Sequence, residues 1–508
     1  MVGIAIKYFF LTLGIIFIYE IIRALLISSL KGKFNRSVKD FIEKNRTRLD
    51  NYKFMHKVVV KHELLNDHAI HAAIIAHAKE KGLTIHEVED HVEEYIDEIV
   101  PAFNLLSYYK IGYVVANFIL NLIYEVVIDR ENAEKLKRIP ENSVIVFVMN
   151  HRSNVDYILV AYMLARQISL SYAVGEWARV WPLEYIFKSF GAYFIRRRYR
   201  EKLYHLVLEK YVQLISLQGV TQGIFLEGSL SRDGNTRTAK TGILDYIIQV
   251  RTNPRFDKEL IFVPAAINYD WVLEDLTLVQ EWKAGKEKSG FRDNLSSLAR
   301  IMGKVPFLLV INLFRYLSGR LKQHGYASVS FGDPVFLSDF LKTEEKDLFT
   351  LDRYERLDRV QHFADRLLVQ IGSSMPVTPV CIVSHVLLSL GSDRVRLDDL
   401  ILMVGQVRDR IKAQGGRIVL GRDFESSIES LSHLKKEEKT RKKELISFEE
   451  SFIASEESKE TVDVALDLLK RRKIVWLRNG EILINEKKKP LLEFYSNSLK
   501  QLLQGQAS

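Results

Sequence analysis

The sequence predicts an α/β protein whose sheet-forming middle region is preceded and followed by helical regions. Between about residues 140 and 340, short β-branched runs at 144–148, 223–226, 260–263 and 327–331 alternate with helical stretches. This alternation is typical of a sheet covered by helices. Residues 40 to about 130, and those beyond residue 340, have helical periodicity instead. A chain of 508 residues is too long for one simple core.

The N-terminal helical region contains one clear helix start and one long apolar segment. A break at Gly82 is followed by Thr84, with Glu87 three positions later, which predicts a capping box. Residues 111–128 are apolar with interspersed polar positions, and they predict one amphipathic helix.

Four regions follow from these patterns. They are a membrane-anchor helix at 1–30, an N-terminal helical region at 31–135, an α/β domain at 136–345 and a mostly helical C-terminal region at 346–508. Near the C-terminus, Asn479-Gly480 between two apolar runs predicts a β-hairpin. Helices together with this hairpin would form a small winged-helix-like unit at 455–508.

The proposed anchor is an apolar segment that Glu20 and Arg23 interrupt. A full transmembrane helix needs about 20 mostly apolar residues, a length that this segment reaches only if the two charges pair within the helix. Basic residues follow at Lys31, Lys33, Arg36 and Lys39. We therefore expect an anchor that spans the membrane or lies in its interface, with a buried core helix as the alternative. The apolar run at 305–314 is expected to be a core helix, with membrane docking as its alternative.

The composition narrows the class of partner. Lys and Arg number 73 against 64 Asp and Glu, a net charge of +9, which fits an anionic membrane surface or a phosphorylated substrate. A surplus of this size does not by itself indicate nucleic acid, and we expect none. Cys381 is the only cysteine, which excludes an internal disulfide and a cysteine-based zinc site. The histidines between His56 and His91 lack a convergent carboxylate pattern, so no metal site is predicted.

His151 and Asp156 are the strongest candidates for a catalytic pair. They follow an apolar run at 144–149, where the chain leaves the predicted sheet and functional residues collect. An aspartate that accepts from one ring nitrogen fixes the tautomer and leaves the other nitrogen as a base. No G-x-S-x-G motif accompanies the pair, so the base would activate a substrate hydroxyl. The spacing alone is a weak signal, and a structural histidine that caps a turn is the alternative.

Four blocks occur in a fixed order and extend this signal. They are Asn-His-Arg-Ser-Asn-Val-Asp-Tyr at 150–157, Gly-Ala-Tyr-Phe-Ile-Arg-Arg at 191–197, Phe-Leu-Glu-Gly-Ser-Leu-Ser-Arg-Asp-Gly at 225–234 and Val-Pro-Ala-Ala-Ile-Asn-Tyr-Asp at 263–270. In this order they resemble the glycerolipid acyltransferases, most closely the bacterial-type glycerol-3-phosphate acyltransferases. Lys-Thr-Gly at 240–242 and Phe-Gly-Asp-Pro at 331–334 extend the resemblance.

The resemblance implies a fold and a reaction. The fold would be that of the glycerolipid acyltransferases, a mixed sheet flanked by helices, with 136–345 as the acyltransferase domain. The reaction would transfer a fatty acyl group from acyl-CoA or acyl-carrier protein to the sn-1 hydroxyl of glycerol 3-phosphate, giving lysophosphatidate without a cofactor. The expected location is the cytoplasmic face of the cell (inner) membrane, in contact with membrane lipid.

The resemblance also implies roles for individual residues. His151 would be the general base and Asp156 its orienting carboxylate. Glu227 would bond an acceptor hydroxyl or pair with an arginine, with a purely structural ion pair as the alternative, and Gly228 would let the backbone approach the substrate. The cationic residues expected near the acceptor are Arg196, Arg197, Arg232 and Lys240.

Leu230 departs from the family pattern, which usually has an arginine associated with the acceptor phosphate at this position. Loss of a charged hydrogen bond costs roughly 1.5–3 kcal/mol. Either the remaining cations suffice, or the acceptor is another molecule such as dihydroxyacetone phosphate or lysophosphatidate. Two further alternatives are a non-catalytic lipid-binding scaffold of the same fold and a thioester hydrolase that uses water.

Overall fold

A computed structural model describes most of the chain from residue 57 onward. The described residues are 57–101, 113–129, 132, 135–164, 171–175, 179, 184, 187, 188, 191–196, 199–285, 311, 312, 314–316, 318, 320–421, 423, 424 and 443–504. The anchor predicted at 1–30 lies outside them, as does most of the apolar run at 305–314. Among the described residues, no helix has both the length and the hydrophobicity that a membrane crossing requires.

The described helices and strands alternate through the middle of the chain. The helices are α1 Lys57–Leu65, α2 His68–Lys81, α3 Ile85–Ile99, α4 Tyr113–Ile123, α5 Asp156–Leu164, α6 Lys202–Leu217, α7 Gly242–Ile248, α8 Asp275–Lys283, α9 Leu337–Thr343, α10 Arg353–Ser373, α11 Pro379–Ser389, α12 Leu397–Ala413, α13 Lys443–Arg471, α14 Lys489–Ser496 and α15 Lys500–Gln504. The strands are β1 Glu125–Ile128, β2 Ser143–Met149, β3 Ser171–Gly175, β4 Ala192–Ile195, β5 Gln222–Phe225, β6 Glu259–Tyr269, β7 Tyr326–Phe331, β8 Val335–Phe336, β9 Pro376–Val377, β10 Arg394–Arg396, β11 Arg417–Leu420, β12 Asp423–Phe424, β13 Val475–Arg478 and β14 Glu481–Ile484.

The main sheet is mixed, which confirms the predicted α/β class. Its strand order is β1-β7-β6-β2-β5-β3-β4, and β8 pairs with β6 outside this path. β2 lies in the interior of the sheet, parallel to both β5 and β6. β3 and β4 continue the parallel set, whereas β7 and β8 run antiparallel to β6. Since parallel strands of this kind are covered on both faces, they read as continuous hydrophobic runs.

β2 is buried along its whole length because helices and other side chains cover both of its faces. Val144, Val146 and Val148 point into a core that includes residues of α3, α6 and α10. On the opposite face Phe147 packs against Phe331 of β7, with ring centroids 6.0 Å apart. A strand buried on both faces has little freedom to move, so the turn that follows it has a fixed starting point.

The local signals in the N-terminal region are confirmed in part. Thr84 and Glu87 form the predicted capping box at the start of α3, and Gly82 has a φ of 68° where α2 ends. The predicted single helix at 111–128 is wrong at its end, since α4 stops at Ile123 and β1 follows. β1 pairs in parallel with β7, so pairing at the edge of the sheet outweighs the local helical periodicity.

The C-terminal region is mostly helical, as predicted, with two small sheets of order β10-β14-β13 and β12-β11-β9. The predicted hairpin is confirmed as β13 and β14, and its turn residues Asn479 and Gly480 have φ of 51° and 76°. Two consecutive positive φ values are those of a type I′ turn, which Asn-Gly favours.

Candidate active site

His151 and Asp156 meet in the turn that joins β2 to α5. β2 ends at Met149, and Asp156 is the first residue of α5. The His151 Nδ1 lies 2.9 Å from the Asp156 Oδ2, and the two side chains are 3% and 0% exposed. The structure therefore brings together the pair that the sequence predicted, at the carboxyl end of a buried parallel strand.

Four donors hold the carboxylate of Asp156. Its Oδ2 accepts from His151 and from the backbone amides of Arg152 and Ser153, at 2.7 Å and 3.0 Å. Its Oδ1 accepts from the hydroxyl of Tyr269 at 2.7 Å. Since an ionised carboxylate only accepts hydrogen bonds, the geometry assigns the proton of the neutral imidazole to Nδ1. The other ring nitrogen, Nε2, is then the basic atom.

Aromatic rings line the side of His151 that carries Nε2. The Tyr157 hydroxyl is 3.4 Å from Nε2, near the upper limit of a hydrogen bond. The Phe225 ring packs beside the imidazole with centroids 4.3 Å apart, and it also contacts the Tyr157 ring at 4.7 Å. A base in such surroundings is shielded from water, which favours proton transfer from a bound substrate over hydrolysis.

Glu227 connects this turn to the loop that follows β5. Its Oε1 accepts from the His151 amide at 3.2 Å, and its Oε2 accepts from the Arg237 amide at 3.0 Å. Burial raises the pKa of the Glu227 carboxyl to about 7, while the charge of Arg152 acts in the opposite direction. The described contacts of Glu227 are thus with backbone amides, and they place the histidine relative to the loop at 225–234.

Gly228 and Lys240 adjoin each other in the same loop. Gly228 has a φ of 65°, and a Cβ at this position would lie 2.9 Å from the Lys240 Cγ. The Lys240 amide donates to the Leu226 carbonyl at 2.7 Å, which closes the loop on itself. Glycine is required here for backbone conformation and for close approach of the lysine stem.

Arg152 binds the end of the loop at 225–234, and the C-terminal tail packs against the same end. The buried Arg152 guanidinium donates from Nη1 to the Gly234 carbonyl at 2.7 Å. A Cβ on Gly234 would lie only 1.8 Å from the Phe494 carbonyl oxygen of α14. The Asn497 side chain donates to the Asp233 carbonyl at 2.7 Å. The loop of the third block is therefore held between the turn that carries His151 and the tail.

Arg196 lies at the end of β4, beside an acidic and aromatic cluster. Its Nε donates to both carboxylate oxygens of Glu98, at 2.8 Å and 3.0 Å, and its guanidinium carbon lies 4.8 Å from the Tyr199 ring centre. Arg179 binds the same carboxylate at 2.9 Å. The hydrogen bonds to Glu98 raise the pKa of the arginine above its ordinary value.

Arg196 and His151 lie at the same end of the sheet, where the carboxyl ends of the parallel strands meet. β4 lies three positions from β2 in the strand order, and the parallel direction is kept throughout. With strands about 4.8 Å apart, the two strand ends are roughly 14 Å from each other. Side chains that extend from both strand ends can face one elongated substrate.

Of the other two arginines predicted near the acceptor, the structure describes Arg232 but not Arg197. Arg232 pairs through its Nε with Glu281 of α8 at 3.2 Å, and its side chain is mostly buried. Arg197 lies outside the described residues.

Two regions of the chain match known protein families. Residues 128–268 match the family described as Acyltransferase, and residues 310–438 match the one described as Glycerol-3-phosphate acyltransferase C-terminal region. The resemblance inferred from the four blocks is confirmed. Curated proteins named glycerol-3-phosphate acyltransferase are similar over most of the chain. That of Haemophilus influenzae is 26% identical over 366 residues, which is 70% of this chain and 42% of the relative.

Further relatives have the same name and a similar extent of match. The Aeromonas hydrophila protein is 26% identical over 69% of this chain and 42% of its own length, and the Actinobacillus succinogenes protein is 27% identical over 71% and 43%. The chain thus spans less than half the length of these relatives. A crystal structure of the 1-acyl-sn-glycerophosphate acyltransferase from Thermotoga maritima is 16% identical, with a TM-score of 0.27, over 51% of this chain and 80% of that one.

Several residues of the site were not singled out from the sequence. Arg152 and Ser153 lie in the first block and Tyr269 in the fourth, so the blocks themselves were the signal that could have identified them. Glu274 had no such signal. Its carboxylate accepts from the Ser153 hydroxyl at 2.8 Å and from the Asn154 amide at 3.2 Å, and burial raises its pKa to about 7.

In the described part of the chain, no group of three or more His, Cys, Asp or Glu side chains is arranged to hold a metal ion. The structure provides an oriented base packed against aromatic rings, with cationic side chains at the same end of the parallel strands. Such an arrangement can deprotonate a hydroxyl and bind an anionic group.

Proposed function

We propose that the chain is a glycerol-3-phosphate O-acyltransferase that acylates the sn-1 hydroxyl and produces lysophosphatidate. The observation that carries this proposal is the buried His151–Asp156 pair, with Nδ1 bonded to the carboxylate and Nε2 facing the Tyr157 hydroxyl. A nucleophilic serine or cysteine motif does not accompany the pair in the sequence, so the acceptor hydroxyl is the natural nucleophile.

The chemistry follows from the position of the basic nitrogen. Nε2 of His151 takes the proton of the acceptor hydroxyl as the oxygen attacks the thioester carbonyl. The tetrahedral intermediate then collapses, the carbon–sulfur bond breaks, and the imidazolium returns the proton to the thiolate. Asp156 stabilises the imidazolium throughout, since its Oδ2 bonds to Nδ1. General-base assistance of this kind is typically worth about 10²–10⁴ in rate.

Binding of the acceptor phosphate is proposed at the cluster around Arg196. Two guanidinium groups, those of Arg196 and Arg179, converge on the single carboxylate of Glu98, which balances only one of their two charges. Glu201 lies beside them and accepts from the Tyr199 hydroxyl at 2.6 Å. Three tyrosine rings surround the Arg196 guanidinium and limit its motion, those of Tyr95, Tyr199 and Tyr204. Fixed guanidinium groups are suited to phosphate oxygens because their donors match the geometry.

The acyl donor is proposed to be acyl-CoA or acyl-carrier protein, reached from the cytoplasmic face of the cell membrane. An exposed aromatic surface supports contact with lipid. Phe118, Phe314 and Tyr316 are 48%, 68% and 59% exposed, and Arg315 lies between the last two in sequence. The Asn312 side chain donates to the Leu122 carbonyl, which joins this segment to the end of α4. Aromatic and basic side chains together are typical of membrane interfaces.

The activity is tested with a labelled acyl donor and a panel of acceptors. The panel contains glycerol 3-phosphate, dihydroxyacetone phosphate, lysophosphatidate and an unphosphorylated alcohol. We expect transfer to glycerol 3-phosphate, and a fall of at least about 10²-fold in kcat for His151→Ala. His86→Ala is the matched control, because this side chain is 84% exposed on α3. Full activity of His151→Ala would overturn the mechanism, and use of only another acceptor would overturn the substrate assignment.

Membrane association is tested separately. Deletion of residues 1–30 should weaken attachment to membranes without removing it, if the aromatic surface near Phe314 also contacts lipid. Fractionation in high salt and in carbonate measures this. A truncated chain that stays wholly in the carbonate-resistant pellet would show that the anchor lies elsewhere.

A further inference from the structure

We propose that Tyr269 is a positioning residue that, through Asp156, sets the proton affinity of the His151 base. The fourth block, in which Tyr269 lies, thereby acquires a chemical role. Tyr269 has no direct contact with the imidazole among the described contacts; its hydroxyl donates to the Asp156 Oδ1 at 2.7 Å. Only the kinetic measurement that tests this inference depends on the proposed function.

The length of β6 explains how Tyr269 reaches the pair. In the parallel register Met149, the last residue of β2, is opposite Ala265, so β6 continues four residues further to Tyr269. Asn150 occupies part of this extension, donating to the Ile267 carbonyl at 2.9 Å and accepting from its amide at 2.8 Å. The catalytic turn is therefore fixed along β6, and the end of that strand lies beside Asp156.

The tyrosine is suited to act as a permanent donor. Its side chain is fully buried, and burial raises the pKa of its hydroxyl well above the ordinary value, with the nearby Asp156 charge acting in the same direction. The hydroxyl therefore keeps its proton at neutral pH. The Tyr124 ring packs against it with centroids 5.4 Å apart and holds its orientation.

The electrostatic effect has a defined sign. Oδ1 of Asp156 bonds to Tyr269, while Oδ2 bonds to the ring nitrogen and to two backbone amides. Removing the donor at Oδ1 leaves more of the negative charge to act on the imidazolium through Oδ2. The protonated histidine is then more stable, and the base becomes active only at higher pH.

The other titratable and charged groups around the pair stay in place when only the Tyr269 hydroxyl is removed. Glu274 interacts electrostatically with Asp156, and Tyr157 faces the imidazole. Tyr124 is neutral, since burial raises its pKa well above the ordinary value. Glu227 and Arg152 flank the backbone of the turn. Because Tyr269→Phe changes none of these groups, a shift in titration is assigned to the lost hydrogen bond.

The test compares Tyr269→Phe with Tyr124→Phe. Tyr124 is an adjacent, equally buried tyrosine whose hydroxyl donates to the Trp271 carbonyl, not to the pair. The acid limb of the pH dependence of kcat/KM should move upward by about 0.5–1 pH unit in Tyr269→Phe and stay unchanged in Tyr124→Phe. The ring signals of His151, assigned in histidine-labelled protein with His151→Ala, should titrate with the same shift.

The ring titration separates this inference from the proposed function. If it moves as expected while no acyl transfer is found, the role of Tyr269 stands and the proposed function fails. An unchanged titration, or an equal shift in both tyrosine variants, would overturn the inference. Should Tyr269→Phe fail to fold, site-specific fluorotyrosine at 269 keeps the shape and strengthens the donor. It should move the titration downward, and no movement would equally overturn the role.

Discussion

Replacement of Asp156 by asparagine isolates the charge of the carboxylate from its geometry. The asparagine carbonyl can take the position of Oδ2 and accept from the ring and from the amides of Arg152 and Ser153. Its amino group then faces the Tyr269 oxygen, which can accept a hydrogen bond. In the reversed orientation the amino group would face both backbone donors, at a cost of about 1–3 kcal/mol for each unpaired group. The first orientation therefore dominates.

The expected loss follows from this orientation. The Nδ1 proton keeps its acceptor, so the tautomer of His151 is preserved, and only the charge that stabilises the imidazolium is lost. A charged hydrogen bond is worth roughly 1.5–3 kcal/mol, which predicts a fall in kcat/KM of about 10- to 150-fold. The loss should be smaller than that of His151→Ala, and the thermal midpoint should change little.

Initial rates with labelled donor, together with thermal unfolding, check this reasoning. Asp156→Ala serves as the comparison, because it leaves the amides of Arg152 and Ser153 without their acceptor and should lower the free energy of unfolding by about 2–6 kcal/mol. A loss of about 10⁴-fold in a well-folded Asp156→Asn is what a reversed histidine tautomer produces. That result would refute the orientation derived from the four donors.

Three further changes probe the loop and its surroundings. Leu230→Arg restores the cation usual in the family and should lower the KM for glycerol 3-phosphate by up to about tenfold. Gly234→Ala should lower the thermal midpoint and the activity together, since its Cβ would lie 1.8 Å from the Phe494 carbonyl oxygen and φ is 85°. The pKa of Glu274, about 7 in the folded chain against an ordinary 4.5, favours the protonated form. Its contribution to stability is full below pH 4.5 and declines by about 3 kcal/mol toward pH 7, a decline that Glu274→Gln should remove from urea unfolding curves.

For each of these three changes, one result would contradict the prediction. An unchanged KM in Leu230→Arg, with Leu230→Met as the size control, would show that a side chain at position 230 does not reach the phosphate. Gly82→Ala controls for the glycine change, since Gly82 has a φ of 68° and a Cβ added there would meet no atom within 4 Å. An equal effect of both glycine variants would show that close packing against Phe494 is not the cause of the loss in Gly234→Ala. An identical pH dependence in Glu274→Gln and the wild type would show that the carboxyl is ionised in the fold.

Strand positions were predictable because hydrophobic runs locate them. The runs at 144–148, 223–226 and 327–331 correspond to β2, β5 and β7 within one residue at each end. β6 is the exception, since it continues to Tyr269, well past the run at 260–263. Pro264 ends the β-branched run and has no amide to donate, so the sequence there does not resemble the interior of a strand. The pairing with β7 on its other side supports the extension.

The contact between His151 and Asp156 was predictable for a related reason. His151 and Asp156 are close in sequence, and the turn after a buried strand constrains where their side chains can lie. The partners of Arg196 and Arg232 were not predictable in this way. Glu98 is 98 positions from Arg196, and Glu281 lies on a separate helix, so both pairs depend on how distant helices pack against the sheet. Local periodicity contains no information on such contacts.

The packing of the tail on the third-block loop matters for any exchange of parts between this chain and its relatives. Phe494 and Asn497 lie beyond residue 438, where the second matched region ends. They nevertheless contact Gly234 and Asp233, beside the turn that carries the proposed base. A chimera that joins the matched regions of one protein to the tail of another would place an unmatched surface against that loop. The last helices therefore belong with the main sheet when the chain is divided for grafting, even though more than two hundred residues separate Asp233 from Asn497 in sequence.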